Sequence, residues 1–368
     1  MLTLVGTRPE VIRLSRTIAV LEQHTEHFLV HSGQSFDYEL NGIFFEQLGL
    51  RPPDRNLQAA GPSPAITTAN VIARLDPVLE ELQPEAMLLL GDTNSCLGAL
   101  AAKRRKIPIF HLEAGNRCYD ERVPEEVNRR LIDHLSDIHL TYSEWARRAL
   151  LQEGVPADRV LKVGSPMFEV LQHYRPQIEA SDVRERLQLT RGHYFVVSVH
   201  REENVEPEPA LRALAVLLER LPEDYGCPVV VSTHPRTRAR LDQLGFRVPP
   251  QVQLLKPLGF FDYVQLQCGA RAVLSDSGTL TEEASILNFR ALHLRQTHER
   301  QEGMEQAAVI LTGLSLSRIY QGLELLEKAP RDIPLLPDYA VPDVSQKVLR
   351  ILLSYTDYVR RVVWKAGY

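Results

Sequence analysis

Residues 2–10, Leu2-Thr3-Leu4-Val5-Gly6-Thr7-Arg8-Pro9-Glu10, decide the fold. Four apolar or β-branched residues make a short strand, Gly6 permits a tight turn, and Pro9 suits the first turn of a helix. A strand running straight into a helix N-terminus is the opening unit of a parallel α/β sheet, and such a terminus can hold a phosphate. The alternative is that Arg8 and Glu10 merely pair at a helix start. Neither a Walker pattern nor GxGxxG follows, which weighs against nucleotide hydrolysis and nicotinamide binding.

Outward from this unit the same alternation continues nearly throughout. In the first half strands are expected at 2–5, 27–31, 86–90, 107–111, 138–142 and 160–164. In the second they are expected at 194–200, 228–234, 252–256, 272–276, 291–294 and 308–311, with amphipathic helical stretches between. The pattern predicts an α/β chain of two Rossmann-like, doubly wound domains. The segment 164–183, with Gly164, Pro166 and Pro176, is the expected hinge. The domains expected are therefore 1–165 and 166–342, with a terminal helix over 343–368 crossing back onto the first. Val348, Ile351, Leu352 and Tyr355 share one face of that helix. Sheets of this kind bind ligands at the carboxyl ends of their strands, here expected in the interdomain cleft.

The 368 residues suffice for two such cores, and 44% hydrophobic with 24% charged residues is the composition of a globular enzyme. A net charge of −5 argues against nucleic acid as a partner. Neither a signal peptide nor a membrane-spanning run is evident, so a cytoplasmic protein with no membrane partner is expected. Cys96, Cys118, Cys227 and Cys268 stand singly, without the spacing of zinc or redox sites. His111 and Glu113 in HLEAG lean the same way along a strand, but no further ligand has metal-site spacing, and no metal is expected.

Polar residues directly after strands carry the chemistry. Asp92 follows the third expected strand in GDTNS, and Glu113 follows the fourth in HLEAGNR. Glu125 and Arg129, in PEEVNR, lie at i and i+4 on one helical face, the spacing of an ordinary salt bridge. Asp92 alone would serve equally as a helix cap. Carboxylates gathered in a water-poor cleft instead separate each other's pKa values and supply acid and base. In the second half His200 (VHREEN) and His234 (STHP) occupy equivalent strand ends beside arginines, which suits an anionic ligand or proton transfer. Ser275-Asp276-Ser277-Gly278-Thr279, running into Glu282 and Glu283, reads as an anion cradle whose backbone N–H groups suit a diphosphate and whose acid suits ribose hydroxyls. A plain N-cap is the alternative there. Arg295 and Thr297-His298-Glu299-Arg300 are placed to close the phosphate site.

Taken in order, GTRPE, GDTNS, HLEAGNR, PEEVNR, DHLSD, VHREEN, STHP and SDSGTLTEE resemble the non-hydrolysing UDP-N-acetylglucosamine 2-epimerases over about residues 5 to 305. The resemblance implies a GT-B arrangement, a UDP-sugar substrate, no cofactor, a homodimer and a role in bacterial surface polysaccharide synthesis. It implies Asp92, Glu113, Glu125 and His200 as catalytic groups. Arg8, Arg129, His234, Ser277, Gly278, Thr279, Glu283 and Arg300 would bind the UDP-sugar. The implied reaction removes the carbon-2 proton as UDP leaves, then adds UDP back to a 2-acetamidoglucal with protonation on the other face.

GDTNSC, EAGNRCYDERVPEE, SDSGTLTEE and THERQEGME resemble most the branch that makes UDP-N-acetyl-L-fucosamine. Gln301 and Arg290 stand where the family usually has proline, which changes backbone stiffness near the phosphate site without removing a charge. Ser32-Gly33-Gln34-Ser35-Phe36 lacks the His that follows the Gln in allosterically activated members, so such activation is not expected. A hydrolysing 2-epimerase, a GT-B glycosyltransferase and a catalytically silent UDP-sugar-binding protein are the competing functions.

Overall fold

A computed structural model describes residues 1–34, 44–329, 333 and 335–366. Ser35 and Phe36, which bear on allosteric activation, lie outside the described residues. The chain forms two compact units, Met1–His173 with Pro337–Tyr368, and Tyr174–Leu336.

In the first unit β1 (Leu2–Val5), β2 (Phe28–His31), β3 (Arg55–Asn56), β4 (Met87–Leu90), β5 (Ile109–Leu112), β6 (Ile138–Thr141) and β7 (Val160–Lys162) form one parallel sheet, in the order β3-β2-β1-β4-β5-β6-β7. Strand β3 was not expected from the sequence. It is a two-residue edge strand against Val30 and His31, too short to show any alternation. The sheet is covered by helices, among them α1 (Arg8–His24), α2 (Pro64–Leu82), α3 (Pro124–Leu135) and the C-terminal helix, α7 (Val344–Tyr358). Helix α1 buries Val11, Leu14, Ile18 and Leu21, the 3-and-4 spacing of one face, and packs against α7. The short helix Met167–His173 also packs on α1, and its Glu169 accepts from Ser345 N at the start of α7 at 2.9 Å.

The second unit has β8 (Phe195–Ser198), β9 (Val229–Ser232), β10 (Val252–Leu255), β11 (Ala272–Ser275), β12 (Ala291–His293) and β13 (Ile310–Leu311), again all parallel, ordered β10-β9-β8-β11-β12-β13. Its central strands bury both faces and read as continuous apolar runs, as in Phe195-Val196-Val197 and Val229-Val230-Val231. Helices α4 (Glu208–Tyr225), α5 (Leu280–Leu287) and α6 (Gln301–Glu305) belong to this unit. No helix among the described residues is long and apolar enough to cross a membrane.

Strand order reverses direction between β1 and β4 in one unit and between β8 and β11 in the other. The turns leaving these strands open crevices where such sheets take ligands. Gly6, in the first of them, has no room for a side chain, because a Cβ would strike the hydroxyls of Ser32 and Ser95.

Candidate active site

In the first unit the acids expected from the sequence lie at neighbouring strand ends. Asp92 follows β4 and receives Arg129 Nε at 2.9 Å and Nη2 at 2.7 Å. Arg129 also reaches Glu126 at 3.2 Å, so this guanidinium, almost fully buried, ties α3 to the β4 turn. Glu113 follows β5, receives the Arg13 guanidinium of α1, and accepts Asn116 Nδ2 at 3.2 Å. Its φ of +70° is a left-handed conformation that costs a non-glycine residue energy and tends to be kept where function needs it. A Cβ on Gly91, the residue before Asp92, would stand 3.6 Å from Glu113 Oε2, which brings this carboxylate beside the β4 turn. Glu125 lies half-buried in the first turn of α3. Arg8 opens α1 with its guanidinium 5.2 Å from the Phe44 ring centre.

A buried network holds these turns. His111 meets Asp133 through Nδ1 at 2.8 Å and the Gly91 carbonyl through Nε2 at 2.8 Å, so both ring nitrogens serve packing. Asp133 also accepts Arg117 at 2.7 Å and the Gly115 N–H at 3.2 Å, and Arg117 continues to Glu153. Glu126, fully buried, accepts the Cys118 and Tyr119 N–H groups and closes the loop after Glu113 onto α3. Among the described residues no group of three or more His, Cys, Asp or Glu could hold a metal ion.

Glu10 crosses the strand reversal of this unit. Its carboxylate accepts from the Gly6 and Thr7 N–H groups of the β1 turn and from Thr93 Oγ1 of the β4 turn at 2.6 Å. Burial pushes its pKa up to about 7, against the pull of Thr93, Gly6 and Thr7. An acid raised from its unfolded value of 4.5 keeps its proton longer in the native state, so its stabilising share is complete below that value and is lost as pH rises through the folded one. Between pH 5 and 8 the wild-type unfolding free energy should thus fall by about 2–3 kcal/mol relative to Glu10→Gln. Urea unfolding of both proteins at the two pH values checks this, and parallel pH dependences would contradict it.

In the second unit His200 follows β8 with its Nδ1 3.0 Å from Asp276 Oδ1, and its ring is partly exposed. Asp276, fully buried after β11, also accepts from the N–H groups of His200 and Arg201 and from Asn204 Nδ2. Burial disfavours its charge, yet His200 and these donors hold it well below the usual carboxylate range. Ser277 Oγ lies 3.0 Å from Thr279 Oγ1, and Gly278 faces Glu299, whose Oε1 would stand 2.5 Å from a Cβ there. Thr279 stands at the N-cap position of α5 without a side-chain capping bond, and Glu283, buried in the first turn, accepts Gln267 Nε2 at 2.7 Å. Arg300, also buried, reaches Glu282 at 3.2 Å, while Arg295 pairs with Glu299 at 2.6 Å. His234 caps the helix Pro235–Gln243 by accepting the Arg236 N–H.

Within the first unit Asp92, Glu113 and Arg129 therefore meet around the turns after β4 and β5, with Arg8 after β1 and Glu125 in the first turn of α3. Within the second, His200, Ser277, Gly278, Thr279, Glu283 and Arg300 surround the turns after β8 and β11, with His234 at the β9 end. Sequence reasoning passed over Arg13, Glu126 and Asp133 and gave Asp276 no separate role. Arg13 had a signal, a charge between Ile12 and Leu14 on the helix expected after Pro9. Asp133 had only its place in DHLSD.

The two doubly wound units place the chain in the GT-B fold class. The family model for UDP-N-acetylglucosamine 2-epimerase matches residues 19–353. The solved UDP-N-acetylglucosamine 2-epimerase of Rickettsia bellii superposes with a TM-score of 0.91 at 47% identity, over 99% of this chain and 98% of that one. The UDP-GlcNAc 2-epimerase of Methanocaldococcus jannaschii, solved with UDP-GlcNAc and UDP, gives 0.89 at 30% identity, over 96% and 99%. The UDP-2,3-diacetamido-2,3-dideoxy-D-glucuronate 2-epimerase of Pseudomonas aeruginosa is 33% identical over 326 residues, 87% of this chain and 90% of that protein. The chain belongs to the UDP-N-acetylglucosamine 2-epimerase family, a family of epimerases.

Proposed function

We propose that the protein is a non-hydrolysing 2-epimerase of a UDP-linked N-acetylhexosamine. The observation that carries this reading is the pair of carboxylates at adjacent strand ends, Asp92 and Glu113, each fixed by its own buried guanidinium, Arg129 and Arg13. Inversion at carbon 2 needs a proton taken from one face and returned on the other, hence two separately held groups. Asp92, Glu113 and Glu125 are the acids and bases in this reading, with His200 as a further proton-transfer group. One of them takes the carbon-2 proton while the anomeric carbon–oxygen bond breaks and UDP leaves with the bonding pair. The glucal double bond then takes UDP back at carbon 1 and a proton at carbon 2 from the opposite side.

Charge develops on the departing diphosphate. Arg8, Arg300 and the Ser277–Thr279 backbone donors are assigned to it. Glu283 is assigned to the ribose and His234 to the remaining ligand contacts, while Arg129 serves the site by holding Asp92. Among substrates we favour UDP-2-acetamido-2,6-dideoxy-L-talose, giving UDP-N-acetyl-L-fucosamine for a surface polysaccharide, on the branch-like motifs GDTNSC and THERQEGME. The M. jannaschii structure with UDP-GlcNAc supports UDP-GlcNAc and UDP-ManNAc as the second choice. A cytoplasmic homodimer is part of the same reading.

Incubation in deuterium oxide with each sugar nucleotide, followed by NMR of the carbon-2 proton, tests the proposal. The expected result is deuterium at carbon 2 of an epimer still linked to UDP, with the talose-configured sugar the better substrate. Free N-acetylhexosamine with UDP would mean a hydrolysing enzyme. Binding without exchange would mean a silent sugar-nucleotide protein, and transfer to an added acceptor a glycosyltransferase.

A further inference from the structure

Asp276 is fully buried, yet the proton-transfer step assigned to His200 leaves it without a part. It gathers four donors from the turn after β8: His200 N–H at 3.0 Å, Arg201 N–H at 2.9 Å, Asn204 Nδ2 at 3.1 Å and the His200 ring at 3.0 Å. Asn204 is itself anchored to the Leu294 carbonyl at 2.7 Å beyond β12, and the Asp276 N–H donates to Ser198 O at 3.1 Å. Three strand ends, β8, β11 and β12, are thus locked around one carboxylate. An ionised carboxylate only accepts, so the ring nitrogen facing it must carry a proton. In the neutral imidazole this leaves Nε2 as the bare, proton-accepting nitrogen, on a ring that is partly exposed while its anchor is not.

We infer that Asp276 is a positioning residue for His200: it sets the imidazole orientation and tautomer so that Nε2 takes and returns the proton in the epimerisation. The inference rests on the proposed role of His200. A buried carboxylate holding a histidine in this way recurs in unrelated enzymes, where conversion to the amide leaves the geometry and inverts the tautomer.

Asp276→Asn can donate its amide to Nδ1 and so move the ring proton to Nε2. It should lower kcat by about 10²–10³-fold while the KM for the sugar nucleotide stays within about threefold. The double variant Asp276→Asn/His200→Asn should be no slower than His200→Asn alone, because a residue acting through another adds nothing once that one is gone. Rates that multiply would assign Asp276 a general structural role and overturn the inference, as would a kcat for Asp276→Asn near the wild-type value. If His200→Asn alone keeps full activity, the reading of His200 itself fails. A measurement on the unmutated protein is independent of whether the variants fold. ¹⁵N NMR of histidine-labelled enzyme, with the His200 signals identified by their loss in His200→Asn, should show the neutral ring protonated at Nδ1. A proton on Nε2 would overturn the inference.

Discussion

Glu113→Gln should lower the epimerisation rate by about 10²–10⁴-fold, the range that a positioned acid or base contributes, while UDP affinity is retained. Glutamine keeps the shape and one acceptor for the Arg13 guanidinium, but it cannot take a proton from carbon 2. Losing the charge opposite the buried Arg13 should also cost about 1–3 kcal/mol of stability, too little to unfold a two-domain enzyme. The measurement is the rate of deuterium entry at carbon 2 starting from each epimer separately. Loss of exchange from one epimer with slow exchange from the other identifies the face that Glu113 serves. Turnover near the wild-type rate would remove Glu113 from the mechanism and leave its left-handed backbone without a functional account.

The largest effect on stability is expected at Asp133, which is buried within the first unit. Burial opposes its ionisation, yet His111 and Arg117 bring its pKa down to about 2, so its stabilising contribution is fully present at neutral pH and is lost only as pH falls through that value. Asp133→Ala removes at one stroke the acceptor for His111, for Arg117 and for the Gly115 N–H. Arg117 is almost completely buried, so its charge would lose the buried carboxylate and be left facing Glu153, which is partly exposed. Leaving such a cation under-paired costs about 3–5 kcal/mol, measurable as a lower urea midpoint with an unchanged slope. A loss below about 1 kcal/mol would mean that water or Glu153 replaces the carboxylate. Activity should fall in parallel, because His111 and Gly115 fix the turns that carry Asp92 and Glu113.

Much of this molecule was legible in one dimension because the signals are local. Apolar runs such as Met87–Leu90 and Val229–Val231 are short and continuous because parallel strands are buried on both faces, and their spacing by helical stretches specifies two doubly wound sheets. The polar residues after those runs, Asp92, Glu113, His200 and Ser277, were recognisable because a strand's carboxyl end is where such sheets place chemistry. The two-residue strand Arg55–Asn56 left no trace, since pairing with β2 makes it a strand and its own side chains do not.

Partnership is what the sequence could not give. Glu125 and Arg129 carry helix-pair spacing, and the fold also brings the Arg129 guanidinium to Asp92, 37 residues away, and to Glu126. Glu10 sits two residues from Arg8, and its carboxylate bridges two turns that only the order β2-β1-β4 makes adjacent. His111 has the residue type and strand position of a ligand, and the fold closes both its nitrogens with Asp133 and the Gly91 carbonyl. By itself, then, the sequence determined the two sheets, their helical connections and the strand ends that carry function, because periodicity and turn chemistry act within a few residues. Which acid meets which cation, and which of the buried acids titrates near neutrality, was decided only by tertiary structure, because charge pairing and desolvation depend on distance through space.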